Sequence, residues 1–548
     1  MRVALGQFNA LVADIEGNAQ KMRTLYAEAL ELGMDVLVFP EMCICGYPPE
    51  DLLLKEHFLS DNRKALENLA ADCPQKTIIA GFAEINKGKC FNSIGVLENG
   101  RVKKTYRKSL LSNYGVFDEQ RYFQPGSGPV AVDINGMTVV LTIGEEIRQV
   151  DWLEKSLNDI PHIDVIINIS ASPFHFGKID ERRFVLSRCA KHFNCALAHC
   201  NLVGGQDELV FDGRSMFLDP KGTVVSQAKA FEEDLLVADI KSVDGKDLQV
   251  INVKADKEYP GAESMDVKAE VYKSLVLGTR DYVVKNGFTK VVIGLSGGID
   301  SSLTAAVAVD ALGPENVVGV TMPSKFNSPD TIKDARKLAD NLGIEFHTVL
   351  IEDVLDKFNE TLGALDGWND EGVAYENLQA RIRGCILMSL SNQFSYLVLT
   401  TGNKSETAVG YSTLYGDTAG GFAVIKDVPK TMVYQLAEYV NETHRRRIIP
   451  VSVIKRPPSA ELKEGQKDSD SLPDYELLDR ILKGYIEEDK SAQQLADEGL
   501  PKNVVDRVIR MVDLNEYKRR QSPPGVKITP KAFGKDRRMP ITNRYKST

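Results

Sequence analysis

The chain is poor in the residues that build metal centres and disulfide scaffolds. Its 548 residues include eight cysteines and seven histidines. The cysteines (43, 45, 73, 90, 189, 195, 200 and 385) show no CxxC…CxxC spacing, and the histidines form no HxxH or HExxH pattern. A zinc site and a disulfide framework are therefore excluded, and buried thiols in a reducing compartment are expected. No apolar run approaches the roughly 18 residues of a membrane span. The opening MRVALGQFNALVADIEG is interrupted by Gln7, Asn9 and Asp14, so it makes no signal-peptide core; a cytoplasmic location is expected. Basic excess is also missing. With 67 Lys+Arg against 77 Asp+Glu, the formal charge is −10. That balance argues against nucleic acid as a partner. What the chain has is a 43% hydrophobic content, enough for several packed cores, and a length suited to roughly two to four domains.

Residues 1–241 read as many short apolar strands with intervening helices: MRVALGQF, DVLVFP (35–40), KTIIAGF (76–82), MTVVLTIG (137–144), DVIINIS (164–170), NCALAHC (194–200), SMFLDP (215–220) and LLVADI (235–240). NG at 99–100 and PKG at 220–222 are hairpin turns. This predicts a mixed α/β domain of packed sheets. Residues 242–262 are polar and turn-rich and read as a linker. From 263 to 548 strands alternate with helices, as a parallel sheet covered on both faces requires.

One turn in this second part carries chemistry. SGGIDSS (296–302) lies between the apolar strand VVIGL and the Ala-rich helix LTAAVAVDAL. Amide groups converge at such a turn, and the helix N-terminus adds partial positive charge. Gly297 and Gly298 leave no Cβ in the path of an anion, while Ser296, Ser301 and Ser302 are expected to add hydroxyl donors. With Ile299 and Asp300 they make a candidate phosphate cradle. It has neither the GKS/GKT ending of a Walker loop nor GxGxxG spacing, and a plain capped turn is the competing reading.

The motif resembles the pyrophosphate loop of the N-type ATP pyrophosphatases. ENLQARIRG (376–384), TTGNKSETAVGYSTLYGD (400–417), KDVPKT (426–431), PSAELKEGQKDSDSLPDYELLD (458–479) and KRRQSPPGVKITPKAFGKDRRMP (518–540) resemble NAD synthetase. FPEMCICGYPPEDLL, YRKSLLSNYGVFDEQRYF, SASPFHFGK and VGGQDELVFDG resemble the amidase half of the glutamine-dependent members of that family. The resemblance implies a nitrilase-like αββα sandwich followed by a Rossmann-like ATP-pyrophosphatase domain. It also implies the reaction: deamido-NAD+ is activated by ATP as an acyl-adenylate, and ammonia displaces AMP to give NAD+. By motif position, Asp300 and Glu406 would be Mg2+ ligands. Thr401 and Lys430 would contact ATP, and Asn377, Glu406 and Lys518 would contact deamido-NAD+. A solvated basic face is the plainer reading of Lys518-Arg519-Arg520.

In the first domain the resemblance implies a Glu–Lys–Cys triad, in which a thiolate takes ammonia from glutamine. Glu41 and Lys108 match the first two members; Tyr114, Ser172 and Lys178 match the glutamine pocket. The nucleophile does not match. VVLTIGEEIRQ places Gly144 where the family has Cys, with Glu146 and Arg148 where it has Asp and Trp. A glycine forms no thioester. The leading expectation is thus an NAD+ synthetase that uses free ammonia, supplied by a separate source, with the first domain kept as a scaffold in a homo-oligomer. The alternatives are a displaced nucleophile at Cys43 or Cys45, another substrate of the same ATP chemistry, and a non-catalytic nucleotide-binding scaffold.

Overall fold

The computed structural model describes residues 1–243, 247–252, 265–369 and 372–545. The chain forms two units, Met1–Met265 and Asp266–Thr548.

The first unit holds two sheets face to face. A seven-stranded sheet runs, edge to edge, through Asp247–Asn252, Asp234–Val243, Arg2–Gln7, Val36–Val38, Thr77–Asn86, Lys89–Glu98 and Arg101–Arg107. A six-stranded sheet runs through Val224–Gln227, Met216–Leu218, Ala196–Asn201, Val165–Ser170, Met137–Ile143 and Val130–Ile134. Alternate side chains of both, among them Val3, Leu5, Ile79, Val139, Ile167 and Phe217, fill one apolar layer between the sheets. Opposite faces are covered by helices. Ile15–Glu31 and Glu56–Asp72 pack on the first sheet, and Val150–Ser156 and Lys178–Phe193 on the second. The result is the αββα sandwich expected from the sequence. Asn99 and Gly100, at φ +53° and +76°, turn the hairpin that pairs Glu98 with Arg101.

The stretch read as a linker begins inside this unit. Asp234–Val243 and Asp247–Asn252 pair antiparallel at the sheet edge, and Leu248 and Val250 pack against the inter-sheet core. That alternation of apolar residues makes a strand of a segment whose polarity suggested a loop. Residues 244–246 and 253–264 lie outside the described residues.

The second unit is built on a five-stranded parallel sheet in the order Glu345–Thr348, Val317–Thr321, Val291–Gly294, Leu397–Thr400, Phe422–Ala423. Val291, Val292 and Ile293 are wholly buried at its centre. Successive strands run outward on one side of Val291–Gly294, and the chain then returns to its other side. The order therefore reverses beside this strand, and a crevice opens at its carboxyl end. Beyond the sheet, Tyr475–Leu482, Ala492–Asp497 and Lys502–Leu514 form a helical cluster around Leu478, Ile481, Val505 and Val508. No helix among the described residues is long and apolar enough to cross a membrane.

Candidate active sites

Residues 295–298 leave the central strand at that crevice and lead into the helix Ile299–Leu312. Gly297 sits at φ +80°, and a Cβ there would collide with the Thr331 carbonyl oxygen. Only glycine satisfies both conditions. The hydroxyls are used differently from the sequence expectation. Ser296 Oγ accepts from Gly298 N at 3.2 Å and lies 3.1 Å from Ser301 Oγ. Ser302 Oγ donates to the Gly298 carbonyl at 2.8 Å and is wholly buried. Ser302 thus braces the turn from within the helix, while Ser296, Gly297, Gly298, Ile299, Asp300 and Ser301 line the cavity. The correction has a simple cause: a hydroxyl one turn into a helix reaches the carbonyl four residues back.

The cavity has a volume of about 580 Å3 and is also lined by Asn377, Thr401, Glu406, Lys430 and Lys518, so the residues singled out in the second domain converge on one space. At its centre Lys430 Nζ lies 2.5 Å from Asp300 Oδ2 and 3.3 Å from Glu406 Oε1. Burial would lower the lysine, but the two carboxylates outweigh it and hold it well above its ordinary range. Glu406 is pushed up to about 8 by burial, against the pull of Lys430 and with Asp300 and Asp468 adding to the rise. Asn403, which the sequence reading did not single out, organises this pair. Its amide donates to Asp300 Oδ1 at 2.9 Å, and it forms a capping box with Glu406 at the start of Lys404–Val409. The N-x-x-E spacing in TTGNKSE is a sequence signal for that box.

A divalent cation fits here as a ligand shared with a substrate. Two carboxylates converge on the cavity, and burial raises Glu406 even with Lys430 beside it. No cluster of three His, Cys, Asp or Glu that could enclose a metal exists among the described residues. Mg2+ is held in this manner, by one or two carboxylates plus phosphate oxygens and water.

Lys518 Nζ donates to the Gly410 and Ser412 carbonyls at 2.7 and 2.8 Å, and burial lowers it, with Asp417 opposing. Arg519 is buried and bonded to Glu516 and to the Ala408 and Val512 carbonyls. Lys518 and Arg519 are therefore anchored, the lysine on the cavity wall, while the solvated-face reading holds for the exposed Arg520 alone. Beneath the cavity, Lys404 Nζ bonds Glu487 at 2.8 Å and Thr529 Oγ1 at 2.6 Å. Asp427, 3.0 Å from Lys404, accepts from the amides of Ile528 and Thr529. This clamp fixes the C-terminal segment against the two turns that carry Glu406 and Lys430.

In the first unit, Glu41 and Lys108 meet although 66 residues of chain separate them (residues 42–107). Lys108 Nζ lies 2.9 Å from Glu41 Oε1, and Asn92 Nδ2 and Ala171 N donate to Glu41 at 2.7 and 2.9 Å. Both side chains are almost fully buried. A third charged group was not anticipated: Glu119 Oε1 lies 2.7 Å from Lys108 Nζ. Glu119 has no periodic signal in the sequence, because it reaches the site from the three-residue 3-10 helix Glu119–Arg121. Gly144, at φ +55°, turns towards this group. A Cβ placed on it would lie 2.9 Å from Lys108 Nζ and 3.1 Å from Glu41 Oε2. Glu146 is buried behind the turn and accepts from Tyr106 Oη and the amides of Ser109, Leu110 and Ile143.

Ser172 and Lys178 flank Gly144 around a cavity of only about 20 Å3, which is room for one water. Tyr114 is exposed and donates to Glu145 at 3.0 Å. Arg148 spans Glu145 and Glu181 beside the same opening. Cys43 and Cys45 are wholly buried. Burial pushes the Cys45 thiol up to about 12 and Cys43 well up, and Cys43 Sγ donates to the Gly81 carbonyl at 3.3 Å. Neither is a thiolate poised to attack.

Comparison with known proteins covers the whole chain. Residues 2–248 match the carbon-nitrogen hydrolase family and residues 271–522 the NAD synthase family. The glutamine-dependent NAD(+) synthetase of Thermotoga maritima is 46% identical over all of this chain and 99% of its own length. That of Aquifex aeolicus is 45% identical over the full length of both. The structure of glutamine-dependent NAD+ synthetase from Acinetobacter baumannii, in complex with ADP, is 40% identical and superposes with a TM-score of 0.79 over 98% of each chain.

Proposed function

The chain belongs to the glutamine-dependent NAD(+) synthetase family, and on that premise we propose that it makes NAD+ from deamido-NAD+ with free ammonia in place of glutamine. The observation that supports this reading is Gly144. The base and lysine of an amidase triad stand assembled, yet the backbone position facing them has no side chain to act as nucleophile.

In this reading the nicotinate carboxylate attacks the α-phosphate of ATP, forming an acyl-adenylate and releasing pyrophosphate. The nitrogen lone pair of ammonia then attacks the acyl carbon, AMP leaves with the electron pair of the C–O bond, and the nitrogen releases one proton to solvent to give the amide. Ser296–Ser301 hold the pyrophosphate with backbone amides, Thr401 contacts ATP, and Lys430 neutralises charge that builds on the phosphates. Asn377, Glu406 and Lys518 orient deamido-NAD+. Asp300 and Glu406 would hold Mg2+, which supplies further neutralisation of the phosphates when bound. The first unit is then a scaffold within a cytoplasmic homo-oligomer, and ammonia arrives from a separate source.

The test uses purified protein with ATP, Mg2+ and deamido-NAD+, supplied with either ammonium or ammonia-free glutamine, and NAD+ read by mass spectrometry. NAD+ from ammonium alone is expected. Comparable NAD+ from glutamine would overturn the proposed donor, and ATP turnover without NAD+ from either would overturn the synthetase reading.

A further inference from the structure

The helix Lys430–Thr443, which carries the central lysine, starts without a cap of its own. Pro429 stands at the cap position and offers no side-chain acceptor to the first amides, and no acidic residue lies in the first turn. The first amides of a helix have no partner within it, and here two other helices provide them. Ser405 Oγ accepts from Lys430 N at 2.9 Å. Asp479 Oδ2 accepts from Thr431 N at 2.9 Å and Thr431 Oγ1 at 2.8 Å. Asp479 Oδ1 in turn accepts from the Ser405 hydroxyl. Ser405 is adjacent to Glu406 in Lys404–Val409, and Asp479 belongs to Tyr475–Leu482. One carboxylate therefore joins three helices at the point where Lys430 and Glu406 face each other. Its negative charge also suits the helix N-terminus. The same helix brings the Tyr475 ring to 5.4 Å from Lys430 Nζ.

We infer that Asp479 is a positioning residue for the synthetase reaction: by capping the helix Lys430–Thr443 from outside, it fixes the lysine's backbone so that Nζ is delivered between Asp300 and Glu406. Asp479 does not line the cavity and touches no substrate, so it acts through Lys430. Lysine is a flexible stem, and its head is only as well placed as its Cα. Displacement of a catalytic group by about 1 Å costs on the order of 100-fold in rate. The inference rests on the proposal that Lys430 serves the phosphates of ATP.

The experiment compares Asp479→Ala, Asp479→Asn, Lys430→Met and the double variant Lys430→Met/Asp479→Ala in full-length protein. The readouts are kcat with ammonium, KM for ammonium and the urea midpoint. Asp479→Ala is expected to lower kcat by roughly 10- to 100-fold while KM for ammonium stays within about twofold. Asp479→Asn should recover most of the loss, because its amide oxygen still accepts from Thr431 and its NH2 can donate to Ser405 Oγ. In the Lys430→Met background, Asp479→Ala should cost nothing further, the signature of two residues acting as one. A wild-type kcat for Asp479→Ala, or an undiminished extra loss in the double variant, would overturn the inference and leave the role of Lys430 standing. A wild-type kcat for Lys430→Met would overturn that role first, and the inference with it. If Asp479→Ala does not fold, Ser405→Ala removes the acceptor of Lys430 N together with the hydroxyl that donates to Asp479 Oδ1, leaves the Asp479–Thr431 contacts in place, and carries the same comparison.

Discussion

The most consequential single position is a residue without a side chain. Gly144 faces a lysine held between two glutamates, a nearly dry network in which one ammonium serves two carboxylates. Such a network is costly to break from one side. Lys108→Met leaves Glu41 and Glu119 buried together without a cation, and should destabilise the first unit by about 3–5 kcal/mol, seen as a lowered urea midpoint. Gly144→Cys places a thiol beside Lys108, and small alkylating agents should label it. Glutamine turnover should stay far below turnover with ammonium, since a Cβ at Gly144 meets Lys108 Nζ at 2.9 Å and the site must shift to take it; glutamine hydrolysis at a comparable rate would contradict this. Buried thiols give a pH dependence of definite sign. Cys45 and Cys189 are pushed up by burial to about 12 from the ordinary 9. Their folded pKa exceeds the unfolded one, so their stabilising contribution is complete below pH 9 and is lost as pH rises towards 12. Urea midpoints should therefore fall over that interval, and an unchanged midpoint would refute the assignment.

At the scale of the element, the turn 295–298 and the helix behind it were the most legible part of the chain. Two glycines between an apolar strand and an Ala-rich helix announce a tight turn opening onto a cavity, because few other sequences permit that backbone. Gly297→Ala tests it. The strained φ and the clash with Thr331 must displace the loop, and NAD+ formation should fall at least about 100-fold while far-ultraviolet circular dichroism is unchanged. What the sequence hid are contacts made across elements. Ser302 looked like a ligand donor because a linear motif does not tell which hydroxyl folds back on its own helix. Glu119 lies in a single 3-10 turn and Asp479 in an ordinary amphipathic helix, so nothing in their local pattern marks them. The strand Asp247–Asn252 was read as linker because edge strands with exposed polar faces resemble loops in composition.

At the scale of the whole molecule, each unit has its own cores and its own cluster of charged residues, and their character was readable from alternating strands in one half and strand–helix alternation in the other. Nucleotide should therefore stabilise selectively. ATP with Mg2+ at about 100 times its dissociation constant adds about 2.7 kcal/mol to whatever binds it. Calorimetry should show the transition of the second unit shifted upward, and that of the first, the one Lys108→Met lowers, left in place; equal shifts of both would contradict this. The clamp formed by Lys404, Asp427 and the amides of Ile528 and Thr529 has a consequence in time. Translation delivers the phosphate loop, then Glu406, then Lys430, and only much later the segment that braces them. A ribosome-bound chain halted before Ile528 holds a buried lysine and aspartate whose last partners do not yet exist. The bracing of Glu406 and Lys430 is thus completed only when Ile528 and Thr529 have been made, well after the residues they brace.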